Sequence, residues 1–111
     1  MGYRSNVSIV LKMDDFEKLA SLSAQSEFDY IASADTVETF VRHNGQAWVH
    51  LGWVDVKWYS AFPEVQLILD FLADVPHEFL RSGDELEDVE HSNTTDECDV
   101  LYVKKTIGFF P

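Results

Sequence analysis

The stretch TVETFVRHNGQAWVHLGWVDVKWY, Thr36 to Tyr59, decides how this chain folds. From Thr36 to His43 β-branched and aromatic residues alternate with polar ones, the pattern of a half-buried strand. Asn44-Gly45 follows, and both residues tolerate positive φ, which makes the pair the strongest short-range hairpin signal. Trp48 to Tyr59 resumes the strand pattern. The expectation is an antiparallel pair, 36–43 against 47–59, with Gly52 marking a bulge or bend in the longer strand. Strict alternation puts Trp48, His50, Val54, Val56 and Trp58 on one face of 47–59. The other face then carries Val49, Leu51, Trp53, Asp55, Lys57 and Tyr59. Large apolar groups on both faces imply that both are covered. A loop, a second copy of the chain in a homodimer, or a ligand would supply the second cover.

Working outward from the hairpin, Pro63 stands where a helix tolerates proline, at its first turn. Val65, Ile68, Leu69, Leu72 and Val75 form a helical stripe, so 63–74 is a helix that Pro76 stops. Val7-Ser8-Ile9-Val10-Leu11 is β-branched and apolar, giving a strand over 5–12. Phe16, Leu19, Ala20 and Leu22 recur at helical spacing behind Asp14 and Asp15, giving a helix over about 13–24. Residues 27–34 and 77–82 are short strand candidates, and Val100 to Phe110 reads as a closing strand. The class is α+β, a largely antiparallel sheet of about five strands with two helices packed on one face.

The chain has 111 residues, 46% of them hydrophobic, enough for one domain spanning 1–111 with its own core. Twenty acidic residues stand against eight basic ones, a net charge of −12. That balance excludes direct binding to the nucleic-acid backbone and to anionic membrane surfaces. Asp84, Glu85, Glu87, Asp88, Glu90, Asp96, Glu97 and Asp99 fall within 84–99 with no Lys or Arg between them, the pattern of a solvated acidic loop or hairpin tip. Cys98 is the one cysteine, so no internal disulfide forms and a reducing cytoplasm is the expected setting. The first residues carry no apolar run of the kind a signal peptide needs.

Three stretches carry a resemblance. They are Met1-Gly2-Tyr3-Arg4-Ser5-Asn6-Val7; Val56-Lys57-Trp58-Tyr59 with Phe62-Pro63-Glu64-Val65; and Phe79-Leu80-Arg81-Ser82-Gly83 leading to Glu85, Asp88 and Glu90, then Leu101-Tyr102 and a basic, β-rich end. In their order and spacing they resemble a group of small, acidic bacteriophage accessory proteins of unassigned function. Such relatives tend to carry Asp where this chain has Asn6, and an aliphatic residue where it has Ser82. The resemblance implies a phage origin and a host-cytoplasm setting, and brings no catalytic residue with it.

The residues themselves argue against an enzyme. His43, His50, His77 and His91 are scattered, with no His-x-x-x-His or Cys-x-x-Cys spacing, so neither metal nor cofactor is expected. A Cys98–His91 nucleophilic pair would sit among acids that suppress the thiolate. Two binding readings remain. In the first, Asp84, Glu85, Glu87, Asp88 and Glu90 compete with phosphates for the basic site of a host protein. In the second, Arg4, Trp53, Lys57, Tyr59 and Arg81 gather cations and rings around a nucleotide, which would sequester an immune signal. The plainer reading of those groups is solubility for the acids, charge neutralisation for the cations, and a Trp53 packed beneath 84–99.

Overall fold

Strand β1 (Ser5–Lys12) runs through the middle of the sheet, and its composition says why. Val7, Ile9 and Leu11 point to one side and Ser8 and Val10 to the other, and all five are buried. Only a central strand covered on both faces needs such a near-continuous apolar run. The computed structural model describes residues 4–27, 29–42, 45–59, 61–83, 89–93, 101–103 and 107–109. After β1 come α1 (Met13–Ala24), β2 (Thr36–Val41), β3 (Ala47–Val56), α2 (Pro63–Leu72), β4 (His77–Ser82) and β5 (Val89–Asn93), then two short strands, β6 (Leu101–Val103) and β7 (Ile107–Phe109).

The main sheet has the order β2-β3-β1-β4-β5, and every neighbouring pair is antiparallel. Two crossovers follow from that order. β1–α1–β2 steps over β3, and β3–α2–β4 steps over β1, so each unit is a split βαβ. Up to β4 this is the β-α-β-β-α-β arrangement called ferredoxin-like, with β5 added beyond β4. The expected α+β class, five-stranded antiparallel sheet and two helices are all present.

Both helices lie on the face formed by Val7, Ile9, Leu11, Val49, Leu51, Trp53 and Phe79. α1 buries Leu19 and Ser23, with Phe16 and Ala20 partly buried against the core. Leu22, read from spacing as part of the stripe, is 43% exposed instead. α2 buries Val65, Ile68 and Leu72. Neither helix has a side-chain N-cap, but Asp14 and Asp15 in one and Glu64 in the other place carboxylates at the positive dipole end.

Three sequence expectations are corrected. Among the described residues of 27–34, which are 27 and 29–34, there is no strand. Asp29 Oδ1 instead accepts hydrogen bonds from Ser23 Oγ (2.6 Å) and from the Ala32 N–H (3.0 Å), folding the segment into a turn that delivers Tyr30 and Ile31 to the core. The 84–99 segment, expected as a loop or hairpin tip, holds a strand where it is described: β5 occupies Val89–Asn93 and pairs with β4, while 84–88 and 94–99 lie outside the described residues. The closing segment is a hairpin, β6 with β7, rather than one strand.

That hairpin supplies the second cover. β6 lies near β4 and β7 near β1, yet both edges of β1 and of β4 are already paired. The hairpin therefore crosses a face, and the helices hold the other one. On the face opposite the helices Val10, Trp48 and Leu80 are buried.

Candidate functional site

Trp53 belongs to the helix-side core. It is 2% exposed, its indole N–H donates to the Tyr30 carbonyl at 3.0 Å, and its ring lies 5.4 Å from that of Trp58. Trp58, expected opposite Trp53, shares its cluster and touches Tyr30 and Phe79 as well. The cause is a bulge. Ser5 pairs with Val56 and Val7 with Trp53, so β3 spends one extra residue there and alternation inverts. Asp55 takes φ 55°, a conformation Asp tolerates better than most residues. Its N–H donates to Asn6 Oδ1 (2.9 Å), its carbonyl accepts from Arg4 Nη1 (3.0 Å), and the Val54 N–H donates to Asp35 Oδ2 (2.7 Å).

The remaining residues of the cation-and-ring set disperse. Arg81 is buried, donating to Glu90 Oε1 at 2.7 Å and to Ser5 Oγ at 3.0 Å. Lys57 is exposed, and its backbone carbonyl accepts from the Tyr30 hydroxyl at 3.1 Å. Tyr59 is half-buried with its ring edge-on to Phe62. Of the acidic set, Asp84, Glu85, Glu87 and Asp88 lie outside the described residues. Glu90 is exposed on β5 and is the Arg81 partner.

A second acidic surface was hidden in the sequence because its members are far apart. Asp14, Asp15 and Glu17 on α1, Glu64 and Asp70 on α2, and Asp74 just beyond it are all exposed or half-exposed. Lys18 is the one basic residue of the two helices. Both helices pack on the same sheet face, so their solvent sides form one outer layer whose charges are nearly all negative.

The opposite face carries the buried polar chemistry. His50 Nε2 and Ser8 Oγ are joined at 3.2 Å beside a cavity of ≈ 210 Å³ that Asn6, Thr36 and Gly52 also line. Burial lowers the His50 pKa, and the Glu38 carboxylate across from it on β2 opposes that shift. A Cβ on Gly52 would lie 3.3 Å from the Thr36 Cβ, so this glycine lets β2 approach closely. Further along the sheet Glu78 is fully buried, with His91 Nε2 at 2.7 Å from its Oε2. At the hairpin end Phe40, Trp48 and Lys12 form one row across three strands, and Lys12 Nζ stands 6.0 Å from the Trp48 ring centre. Trp48 Nε1 and Arg42 Nε are buried there without an acceptor. Such a donor costs about 1–3 kcal/mol relative to a satisfied one.

Among the described residues no three His, Cys, Asp or Glu side chains gather as a metal site, and no helix is long and apolar enough to cross a membrane. Comparison with family models, curated proteins and solved structures finds no match.

Proposed function

We propose that this chain is a non-catalytic accessory protein that binds a basic site on a host protein through its acidic surface. The observation that carries the reading is the outer helix layer, where Asp14, Asp15, Glu17, Glu64, Asp70 and Asp74 face a single Lys18. With the acids of 84–90, a one-signed field of this kind steers a cationic partner and rejects anionic ones. Its spacing of carboxylates along two helices would compete with nucleic-acid phosphates for the same groove. A role in blocking a host defence or regulatory complex in the cytoplasm follows from the resemblance to phage accessory proteins.

The alternative, capture of a nucleotide by Arg4, Trp53, Lys57, Tyr59 and Arg81, has less support. Trp53 is spent on the core and Arg81 on Glu90 and Ser5. The test is affinity capture from host lysate at graded NaCl, followed by native mass spectrometry. The expected result is one basic protein, retained at low salt and released steeply as salt rises, because surface charges are screened beyond ~8 Å at physiological ionic strength. A retained nucleotide that disappears in Lys57→Ala would overturn the proposal in favour of the alternative.

A further inference from the structure

We infer that the face of the β2–β3 hairpin opposite the helices holds a small oxyanion, bound by Arg42, Trp48 and Lys12. The register brings these residues together. Phe40 pairs with Trp48, and Trp48 pairs on its other side with Lys12. One step further out the Arg42 N–H donates to the Gln46 carbonyl at 3.0 Å, so Arg42 stands two residues beyond Phe40 and shares its face. Trp48 and Arg42 are thus diagonal cross-strand neighbours, within reach for long side chains.

Three features identify the ligand class. Trp48 is fully buried, and its indole nitrogen, which can only donate, has no acceptor. Arg42 Nε is a second buried donor without one. Lys12 Nζ stands over the Trp48 ring, and no carboxylate of the described residues pairs with it or with Arg42. Among the described residues, two cations and an indole N–H share this face without an acidic partner. Buried donors are satisfied in nearly all native structures, by protein, water or ion. A group that offers several acceptors and negative charge fits all three; a cation or an apolar molecule fits none. The Arg fork recognises phosphate and carboxylate oxygens alike. Glu38 lies on the same face one row away and sets the site against tight binding.

The test is NMR of the ¹⁵N-labelled protein, following the indole N–H signals, with that of Trp48 assigned through Trp48→Phe. Inorganic phosphate is titrated against NaCl of equal ionic strength, and acetate is titrated in parallel. The expected result is a saturable downfield shift of the Trp48 indole proton with phosphate, while the Trp53 indole, already bonded to Tyr30, stays in place. Arg42→Met should weaken binding about tenfold or more, the loss of one charge-assisted hydrogen bond. Arg42→Lys, which keeps the charge but not the fork, should fall between, and it carries the test if Arg42→Met does not fold. A response to phosphate alone assigns a phosphoryl group; a response to acetate as well assigns oxyanions in general. The inference is overturned if phosphate moves Trp48 no more than NaCl does, if both Arg42 variants bind like the parent, or if the indole proton exchanges only with a trapped water.

Discussion

His91 Nε2 lies 2.7 Å from Oε2 of Glu78, joining an exposed imidazole on β5 to a carboxylate that no solvent reaches. Glu78 pairs with Asn93 and His91 with Leu80, so the contact is a diagonal one across the last two strands of the sheet. Deleting His91 takes one hydrogen-bond partner from a carboxylate buried away from water, which costs more than losing the same bond at the surface. His91→Ala should therefore lower stability by about 1–3 kcal/mol in urea denaturation. Glu78→Gln, which can still bond the ring, should cost less than Glu78→Ala. Equal stability of His91→Ala and the parent would mean that the pair contributes nothing.

A pH dependence follows from His50. Burial depresses its folded-state pKa below 6.5, so the unfolded chain binds more protons between the two values. The stabilising contribution is complete above pH 6.5 and is lost as pH falls through the lower folded value. Denaturation midpoints measured from pH 7.5 down to pH 5 should fall in the parent, and the slope should be shallower in His50→Gln. Parallel slopes would assign the acid sensitivity to other groups.

Much of the fold is legible in the sequence itself. The β2–β3 hairpin was announced by Asn44-Gly45, and β1 by the run Val7 to Leu11. The stripe of α2 closed on Val65, Ile68 and Leu72 as spacing required. What failed was local and side-chain-driven. Asp29 uses its carboxylate to cap a turn, which no apolar period reveals. The bulge at Asp55 inverts the alternation that seemed to separate Trp53 from Trp58, and its cause, Asn6 and Arg4, lies about fifty residues upstream. The shared acidic layer depends on two helices lying side by side, so it exists only in three dimensions. The grouping of Arg42 with Lys12 likewise needed the register of three strands.

The contrast between two leucines tests the helix packing. Leu72 is 2% exposed and Leu22 is 43% exposed, though both sat in apolar stripes. Leu72→Ala should cost about 2–5 kcal/mol, the range for a truncated core leucine. Leu22→Ala should stay within about 0.5 kcal/mol, as surface changes do. Guanidinium denaturation of the two variants reads both values. Similar losses at the two sites would mean that α1 is rotated from its described position.

The bulge makes its own prediction. Asp55 at φ 55° is in the left-handed region, where a β-branched side chain is strained by roughly 1–2 kcal/mol. Asp55→Val should lose about that amount, while Asp55→Gly should be neutral or slightly stabilising. Asn6→Asp keeps the oxygen that accepts the Asp55 N–H and should be tolerated; Asn6→Leu should not be. Thermal denaturation of the four variants ranks them. A stable Asp55→Val would remove the case for a left-handed residue at this point.

The last prediction separates the two acidic surfaces. If the helix layer meets the basic partner, Asp14→Asn, Glu17→Gln, Glu64→Gln and Asp70→Asn together should slow association while leaving dissociation nearly unchanged, since steering charges act on encounter. The fold should survive, because these side chains are exposed or half-exposed, although the helix ends lose the favourable Asp14 and Glu64 dipole contacts at about 0.3–1 kcal/mol each. The companion set, Glu85→Gln, Glu87→Gln, Asp88→Asn and Glu90→Gln, also releases Arg81 from its ion pair. Its effect on binding is therefore judged against Glu90→Gln alone. Stopped-flow association with the captured partner at two salt concentrations measures both sets. A helix-layer variant that associates at the parental rate, beside an 85–90 variant that does not, would move the interface to the 85–90 segment. Parental rates from both would remove the acidic surface from the mechanism.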